Sequence, residues 1–150
     1  MPALIGPNQH GQPVALAELG SAYLLVFFPY AFTGICTGEM IELRDWAGEF
    51  AEHGVRVFGC STDSMFSLRV FDETEHLGFD LVSDHWPHGA IAEAFGVFDA
   101  ERGCPSRGSF AVDATGVVRW SVVNDIGAAR SIDEALAAAA DLADPTDRPG

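Results

Sequence analysis

Two apolar runs with a stretch of helical spacing between them constrain the fold of this chain more than any other feature. Residues 23–28 are apolar at every position and residues 55–60 nearly so, as in strands covered on both faces of a sheet. Between them, apolar side chains recur every three or four positions over residues 36–53, which predicts a helix capped by Gly54. Strand, helix and strand in this order predict a parallel pair joined by a right-handed crossover.

The remaining segments complete the pattern of one α/β domain. The predicted elements are a short strand at 14–16 after a loop-like N-terminus, helices at 64–77 and 90–95, a short strand at 81–82, a β-hairpin from 109–113 and 117–123, and a final helix at 131–143 with a capping-box start. This order is typical of a thioredoxin-like α/β fold with a central mixed sheet flanked by helices. We therefore expect residues 1–150 to form a single domain, with a flexible tail at about 144–150.

Charge and hydropathy exclude several classes of partner. The net charge is −14, and the eight Lys and Arg residues are all arginine. An acidic surface of this kind repels phosphate backbones and disfavours nucleic-acid binding. No apolar run is long enough to span a bilayer, and no basic segment followed by a hydrophobic stretch marks a signal peptide. We expect a cytoplasmic protein with neither membrane nor nucleic-acid partners.

The three cysteines predict neither a disulfide framework nor a metal site, because they are odd in number and show no CxxC or zinc-ligand spacing. Cys36 stands apart from Cys60 and Cys104, since it lies where a buried strand turns into a helix, the place at which open parallel sheets bind ligands. Backbone N–H groups and the positive end of the helix dipole stabilise a thiolate there. A buried structural cysteine is the competing interpretation, and position alone leaves both open.

The residues that flank Cys36 carry a resemblance to a known family. Pro29, Thr33 and Cys36 form the PxxxTxxC signature of peroxiredoxins, and FFPYAFTGICTGEM resembles the one-Cys, alkyl hydroperoxide reductase E-like type. Residues 83–89, 94–98 and 107–110 are similar to the same type, so the likeness extends over roughly residues 11–123. The resemblance implies a thioredoxin-like fold and a thiol-dependent peroxidase that uses no metal, haem or flavin.

The resemblance also implies a role for each of five residues. Cys36 is the peroxidatic nucleophile, and Thr33 offers its hydroxyl to the peroxide oxygens, although a helix N-cap is its competing role. Arg107 holds Cys36 as the thiolate and stabilises charge on the departing oxygen. Pro29 closes the pocket against water or simply ends the strand. Glu39 pairs with and orients the arginine, the alternative being an exposed first-turn glutamate favoured by the helix dipole.

The reaction implied by the resemblance forms a sulfenic acid at Cys36, which a second thiol converts to a disulfide for reduction. That thiol comes from thioredoxin, a glutaredoxin-like protein or a low-molecular-weight thiol. The loop of Cys104 is expected to approach the site, so Cys104 is a candidate resolving cysteine, although the family type places no resolving cysteine there. Cys60, at the end of a strand, is expected to be structural. The resemblance further implies a homodimer with an antioxidant role in cell redox homeostasis.

Two other functions remain open at this point. A redox-sensing or holdase-like protein would use the same thiolate at Cys36 to report peroxide. A thiol–disulfide oxidoreductase on the same fold relies on a paired thiol such as CxxC, but Thr33 and Gly34 stand where that thiol would be. His88, which could be read as a proton shuttle, is predicted to cap the helix that follows it.

Overall fold

The structure is a computed structural model, and it describes residues 4–124 and Ala137. The elements follow one another in the order β1 (Ile5–Pro7), β2 (Pro13–Ala15), a 3-10 turn (Leu16–Glu18), β3 (Ala22–Phe27), α1 (Gly34–Glu52), β4 (Val55–Ser61), α2 (Met65–Glu75), β5 (Asp80–Ser83), α3 (Ala90–Ala94), β6 (Phe98–Asp99), β7 (Cys104–Pro105), β8 (Arg107–Val112) and β9 (Val118–Asn124). The predicted helix at 131–143 and tail at 144–150 lie outside the described residues, apart from Ala137.

The centre of the fold is a five-stranded mixed sheet in the order β5-β4-β3-β8-β9. β3 pairs with β4 in parallel, with Leu24 opposite Val57, and the crossover between them is α1. On its other side β3 pairs with β8 in an antiparallel ladder, with Leu25 opposite Phe110. The predicted βαβ unit and the predicted mixed sheet flanked by helices are confirmed.

β3 is buried at every position because both faces of the sheet are covered. Its alternate side chains belong to two separate apolar clusters, as the period of two in a strand requires. Leu24 and Val26 pack in the cluster that includes α1 and α2, whereas Leu25 and Phe27 pack in the cluster on the opposite face. The continuous apolar run seen in the sequence therefore reflects a strand between two cores.

Helix α1 turns one face towards the sheet, and that face includes Cys36. Cys36, Met40, Leu43 and Phe50 are all fully buried, with the spacing that places side chains on one side of a helix. The helix begins two residues earlier than the spacing predicts, after the N-cap residue Thr33. The packing of this face fixes the depth at which the Cys36 sulfur lies.

The N-terminal segment differs from the sequence prediction. β1 and β2 form a two-stranded antiparallel hairpin with Ile5 opposite Ala15, where the sequence predicted a loop with one short strand. A bridge from Asn8 to Val82 joins this hairpin to β5. Strands of three residues that begin or end at proline are too short to show alternation, so contact with β5 decides the pairing.

Among the described residues, no helix combines the length and the apolar character that crossing a bilayer needs.

Two phenylalanines on α2 test the orientation of this helix. Phe71 is fully buried and Phe66 is 67% exposed. Phe71→Ala should lower the free energy of unfolding by about 3–5 kcal/mol, because it leaves a cavity between α2 and the sheet. Phe66→Ala, the matched control, should change it by less than about 0.5 kcal/mol. Denaturant unfolding monitored by circular dichroism measures both values, and equal losses would contradict the packing of α2.

Candidate active site

Three side chains from two elements meet in the interior beside the start of α1. Arg107 Nη2 donates a hydrogen bond to Cys36 Sγ at 3.4 Å. Arg107 Nη1 donates to Glu39 Oε1, which completes a buried ion pair. The exposed fractions are 0% for Cys36, 4% for Glu39 and 3% for Arg107. One guanidinium thus bridges a sulfur and a carboxylate away from bulk water.

The sheet topology brings Arg107 to Cys36 although the two are far apart in sequence. Val26 lies opposite Ser109 in the antiparallel pair of β3 and β8, so the start of β8 lies beside the end of β3. The chain leaves β3 at this end and enters α1 through the loop that precedes Cys36. Glu39 follows Cys36 by three residues, which places both side chains on one face of the helix.

The charges around the Cys36 sulfur come from Arg107, from the start of α1 and from Glu39. A guanidinium is always charged, so Arg107 presents a fixed positive charge and a directed N–H to Cys36 Sγ. The first-turn amides of α1 have no intrahelical acceptor and add their partial positive charge. Glu39 opposes a thiolate by its charge, but its ion pair with Arg107 compensates that charge and orients the guanidinium. The predicted pairing of Glu39 is what the structure shows, and the alternative of an exposed glutamate is wrong.

Thr33 occupies the N-cap position of α1, one turn before Cys36. Its backbone carbonyl accepts from the Thr37 N–H at 2.8 Å. Its hydroxyl makes no capping bond and instead donates to the Tyr30 carbonyl oxygen at 2.9 Å. The hydroxyl is exposed at the mouth of the site, and its oxygen retains lone pairs that can accept from a hydroperoxide.

Pro29 is buried at the end of the central strand. The Phe28 N–H still donates to the Cys60 carbonyl oxygen at 3.0 Å, so the ladder continues for one residue beyond β3. Pro29 has no N–H to extend this ladder further. It therefore ends the strand and stands, buried, at the entry to the loop that leads to Cys36, so its two predicted roles are compatible.

All three cysteines lie in the described residues and carry thiols rather than disulfides. Burial raises the pKa of the Cys60 thiol well above its usual value, so it remains protonated and packs as an apolar side chain in β4. Cys104 in β7 is 1% exposed, and burial raises the pKa of its thiol despite a hydrogen bond to Tyr30. Cys104 lies three residues before Arg107 in the chain and forms no disulfide with Cys36.

His88 does not cap the helix that follows it, contrary to the sequence prediction. Its Nε2 lies 2.7 Å from the Gly103 carbonyl oxygen. The carboxylate of Asp84 caps α3 instead, since it accepts from the amides of Ile91 and Ala92, each at 2.9 Å. Proximity in sequence favoured the histidine, whereas the turn between β5 and α3 folds back so that the earlier aspartate reaches the helix start.

Sequence reasoning missed Tyr30 and Asp63, which are hydrogen-bonded to the segments that lead to Arg107 and to Cys36. The Tyr30 hydroxyl donates to the Arg102 carbonyl oxygen at 3.0 Å. The Asp63 carboxylate accepts from the Ala31 amide at 2.8 Å. Asp63 lies two residues beyond the end of the parallel strand β4, and the carboxyl edge of such a sheet is a place to search for polar residues of a site. Within the part of the chain that the structure describes, no group of three or more His, Cys, Asp or Glu residues could hold a metal ion.

A buried cysteine at a helix start, paired with an arginine on a thioredoxin-like sheet, is the arrangement of a thiol-dependent peroxidase. The sequence profile of the AhpC/TSA family matches residues 1–121, and the chain belongs to this family of peroxiredoxins. Alkyl hydroperoxide reductase E from Mycobacterium tuberculosis is 40% identical over 125 residues, which make up 82% of each chain. Thioredoxin peroxidase from Fasciola hepatica is 34% identical, and the match covers 90% of this chain and 77% of that protein.

Solved structures agree with this assignment. Peroxidoxin BcpB from Mycobacterium tuberculosis superposes with a TM-score of 0.79 at 32% identity and covers 90% of both chains. A reduced 2-Cys peroxiredoxin from Plasmodium vivax also has a TM-score of 0.79, at 27% identity, over 91% of this chain and 76% of the other. The predicted thioredoxin-like fold, the resemblance to alkyl hydroperoxide reductase E and the assignment as a peroxidase are confirmed.

The stability of the buried ion pair can be compared with that of a pair in which the arginine is exposed. Arg107→Ala leaves Glu39 buried without its cation and should lower the free energy of unfolding by about 3–5 kcal/mol. Arg119→Ala is the matched control: Arg119 is 58% exposed, and its partner Asp113 keeps hydrogen bonds from the amides of Thr115 and Val117. That loss should stay below about 1 kcal/mol. Urea denaturation measures both, and a larger loss for Arg119→Ala would contradict the description of the site.

Proposed function

We propose that the chain reduces hydrogen peroxide and organic hydroperoxides through a thiolate at Cys36 and a sulfenic acid intermediate. The single observation that carries the proposal is the contact of Arg107 Nη2 with Cys36 Sγ at 3.4 Å. This contact is buried, and a low local dielectric strengthens the interaction between the guanidinium and the sulfur. Only the thiolate is an effective nucleophile, so the contact favours the reactive form.

The first step is an in-line displacement on the peroxide. The Cys36 sulfur attacks the terminal oxygen, a sulfur–oxygen bond forms as the oxygen–oxygen bond breaks, and the electron pair leaves on the second oxygen. The departing alkoxide or hydroxide takes a proton from water and becomes an alcohol or water. Arg107 stabilises the charge that develops on this oxygen, and the Thr33 hydroxyl orients the peroxide. Cys36 is left as the sulfenic acid.

We propose that an external thiol completes the cycle in the one-Cys manner. It attacks the sulfenic sulfur and expels water to give a mixed disulfide, and a second thiol then releases the Cys36 thiolate. Two observations favour this over an internal disulfide: the thiols of Cys60 and Cys104 are both buried, and burial raises the pKa of each, which disfavours the thiolate. Thioredoxin, a glutaredoxin-like protein and a low-molecular-weight thiol are the candidate reductants.

The setting of the enzyme is also part of the proposal. We infer a single-domain cytoplasmic protein that acts as a homodimer. Free thiols at all three cysteines suit a reducing compartment. Trp86 and Phe32 are 83% and 54% exposed, and apolar side chains exposed to this extent favour an interface with a second copy.

Stopped-flow fluorescence tests the peroxidase proposal. Mixing the reduced protein with hydrogen peroxide should change tryptophan emission in a second-order phase far faster than the reaction of a free thiol. Cys36→Ser should abolish this phase, and Arg107→Ala should slow it by about 100-fold or more. Cys104→Ser, the control in a one-Cys cycle, should keep the wild-type rate. Without a fast phase in the wild-type protein, the proposed function is wrong.

The intact mass of the protein after one equivalent of peroxide distinguishes the two cycles. A gain of one oxygen atom indicates the sulfenic acid and supports an external thiol. A loss of two hydrogen atoms, abolished by Cys104→Ser, would instead identify Cys104 as the resolving cysteine. Repeating the measurement with thioredoxin, a glutaredoxin or a small thiol shows which reductant restores the starting mass.

A further inference from the structure

The segment that follows β4 is hydrogen-bonded to the loop that leads to Cys36. We call residues 29–33 the Cys36 loop. Asp63 Oδ2 accepts from the backbone N–H of Ala31 at 2.8 Å. This bond joins the carboxyl edge of β4 to the middle of the Cys36 loop, five residues before the reactive sulfur.

The Asp63 carboxylate is itself held in place by its neighbours. Ser61 donates its hydroxyl to Asp63 Oδ2 at 2.7 Å, and the same hydroxyl accepts from the Asp63 N–H at 3.2 Å. The Ser83 hydroxyl donates to the Asp63 carbonyl oxygen at 2.6 Å. Because both the backbone and the carboxylate of Asp63 are fixed to β4 and β5, the acceptor that it offers to Ala31 is rigid.

The Cys36 loop needs such an external support. Phe32 has a φ of +69°, in the left-handed region that residues other than glycine rarely adopt. Such conformations persist where the surrounding structure determines them. Ala31 is only 8% exposed, so its amide depends on a protein acceptor. The Thr33 hydroxyl closes the other side of the loop by donating to the Tyr30 carbonyl oxygen.

The same region also holds the segment that leads to Arg107. We call residues 100–106 the Arg107 segment. Thr62, next to Asp63, donates its hydroxyl to the Gly103 carbonyl oxygen at 3.4 Å. Tyr30, next to Ala31, donates its hydroxyl to the Arg102 carbonyl oxygen at 3.0 Å. The Cys36 loop and the Arg107 segment are therefore hydrogen-bonded to one another and to the residues that follow β4.

We propose that Asp63 is a positioning residue for the peroxidase reaction: through the Ala31 amide it sets the path of the Cys36 loop, and thereby aligns Thr33 and Cys36 with the peroxide. Asp63 touches none of the reacting atoms. The inference rests on the proposed function and concerns the same site. Its physical basis is that in-line displacement depends steeply on geometry, so a loop displaced by about 1 Å can cost about 100-fold in rate.

The test compares two reactions of the same sulfur in Asp63→Ala. Displacement on hydrogen peroxide requires the aligned loop, whereas alkylation by iodoacetamide requires only an accessible thiolate. We expect the rate with peroxide to fall by about 10- to 100-fold, with alkylation unchanged or faster. Asp63→Asn retains one carbonyl oxygen as an acceptor and should recover part of the peroxide rate. If Asp63→Ala does not fold, Asp63→Asn and Ser61→Ala should each still show a selective loss with peroxide.

Asp113→Ala is the matched control. Asp113 also accepts from backbone amides, those of Thr115 and Val117, but it follows the opposite end of β8 from Arg107. Asp113→Ala should therefore lower the melting temperature while leaving the rate with peroxide unchanged. If Asp63 had only a structural role, Asp63→Ala would likewise lower the melting temperature without changing the rate with peroxide.

Three results would overturn the inference. The first is a wild-type rate with peroxide in Asp63→Ala, or in both Asp63→Asn and Ser61→Ala if Asp63→Ala is unfolded. The others are an equal fall in the rates with peroxide and with iodoacetamide in Asp63→Ala, and an equal fall in the rate with peroxide in Asp113→Ala. Failure of the proposed function is recognised separately, because the wild-type protein would then show no fast reaction with peroxide.

Discussion

Arg107 carries a full positive charge at a position that is 3% exposed, and the site is arranged around that charge. Such a charge is tolerated in the interior only where acceptors surround it with good geometry. Glu39 supplies one acceptor and the Cys36 sulfur supplies another. The contacts that compensate the buried guanidinium are also the contacts that hold it against the Cys36 sulfur, so the stability of the site and the proposed chemistry depend on the same atoms.

The contact between Arg107 and Cys36 depends on the order of the strands in the sheet. The parallel pair of β3 and β4 places the start of α1 at the carboxyl edge of the sheet, and the antiparallel β8 begins at the same edge beside β3. The start of α1 and the start of β8, which are distant in sequence, therefore lie close together. Hydrogen bonds accepted by Asp63 and donated by Thr62 and Tyr30 connect the loops that lead to Cys36 and Arg107. The rigid sheet sets the coarse position of both segments, and in the proposed reaction these bonds refine their alignment.

Long segments with a strong periodicity of apolar residues were predictable from the sequence, whereas short segments were not. The β3–α1–β4 unit was evident because residues 23–28 and 36–53 carry patterns that only a buried strand and an amphipathic helix satisfy. The hairpin of β1 and β2 was not predicted, since strands of three residues are too short to show an alternation of apolar and polar residues. In the structure this hairpin contacts β5. His88 was assigned a capping role that belongs to Asp84, because sequence distance does not reveal which side chain a turn folds back towards the helix.

The amino-acid sequence was enough to predict the class of fold, the family and the candidate residues Cys36, Thr33 and Arg107, because these depend on local patterns and on a motif with fixed spacing. Three further features come from the folded structure: Glu39 is buried against Arg107, Cys104 is buried, and Asp63 accepts a hydrogen bond from the Cys36 loop. Each of these depends on contacts between segments far apart in the chain. Burial and hydrogen-bond geometry at such contacts follow from packing of the whole sheet, which no local pattern encodes.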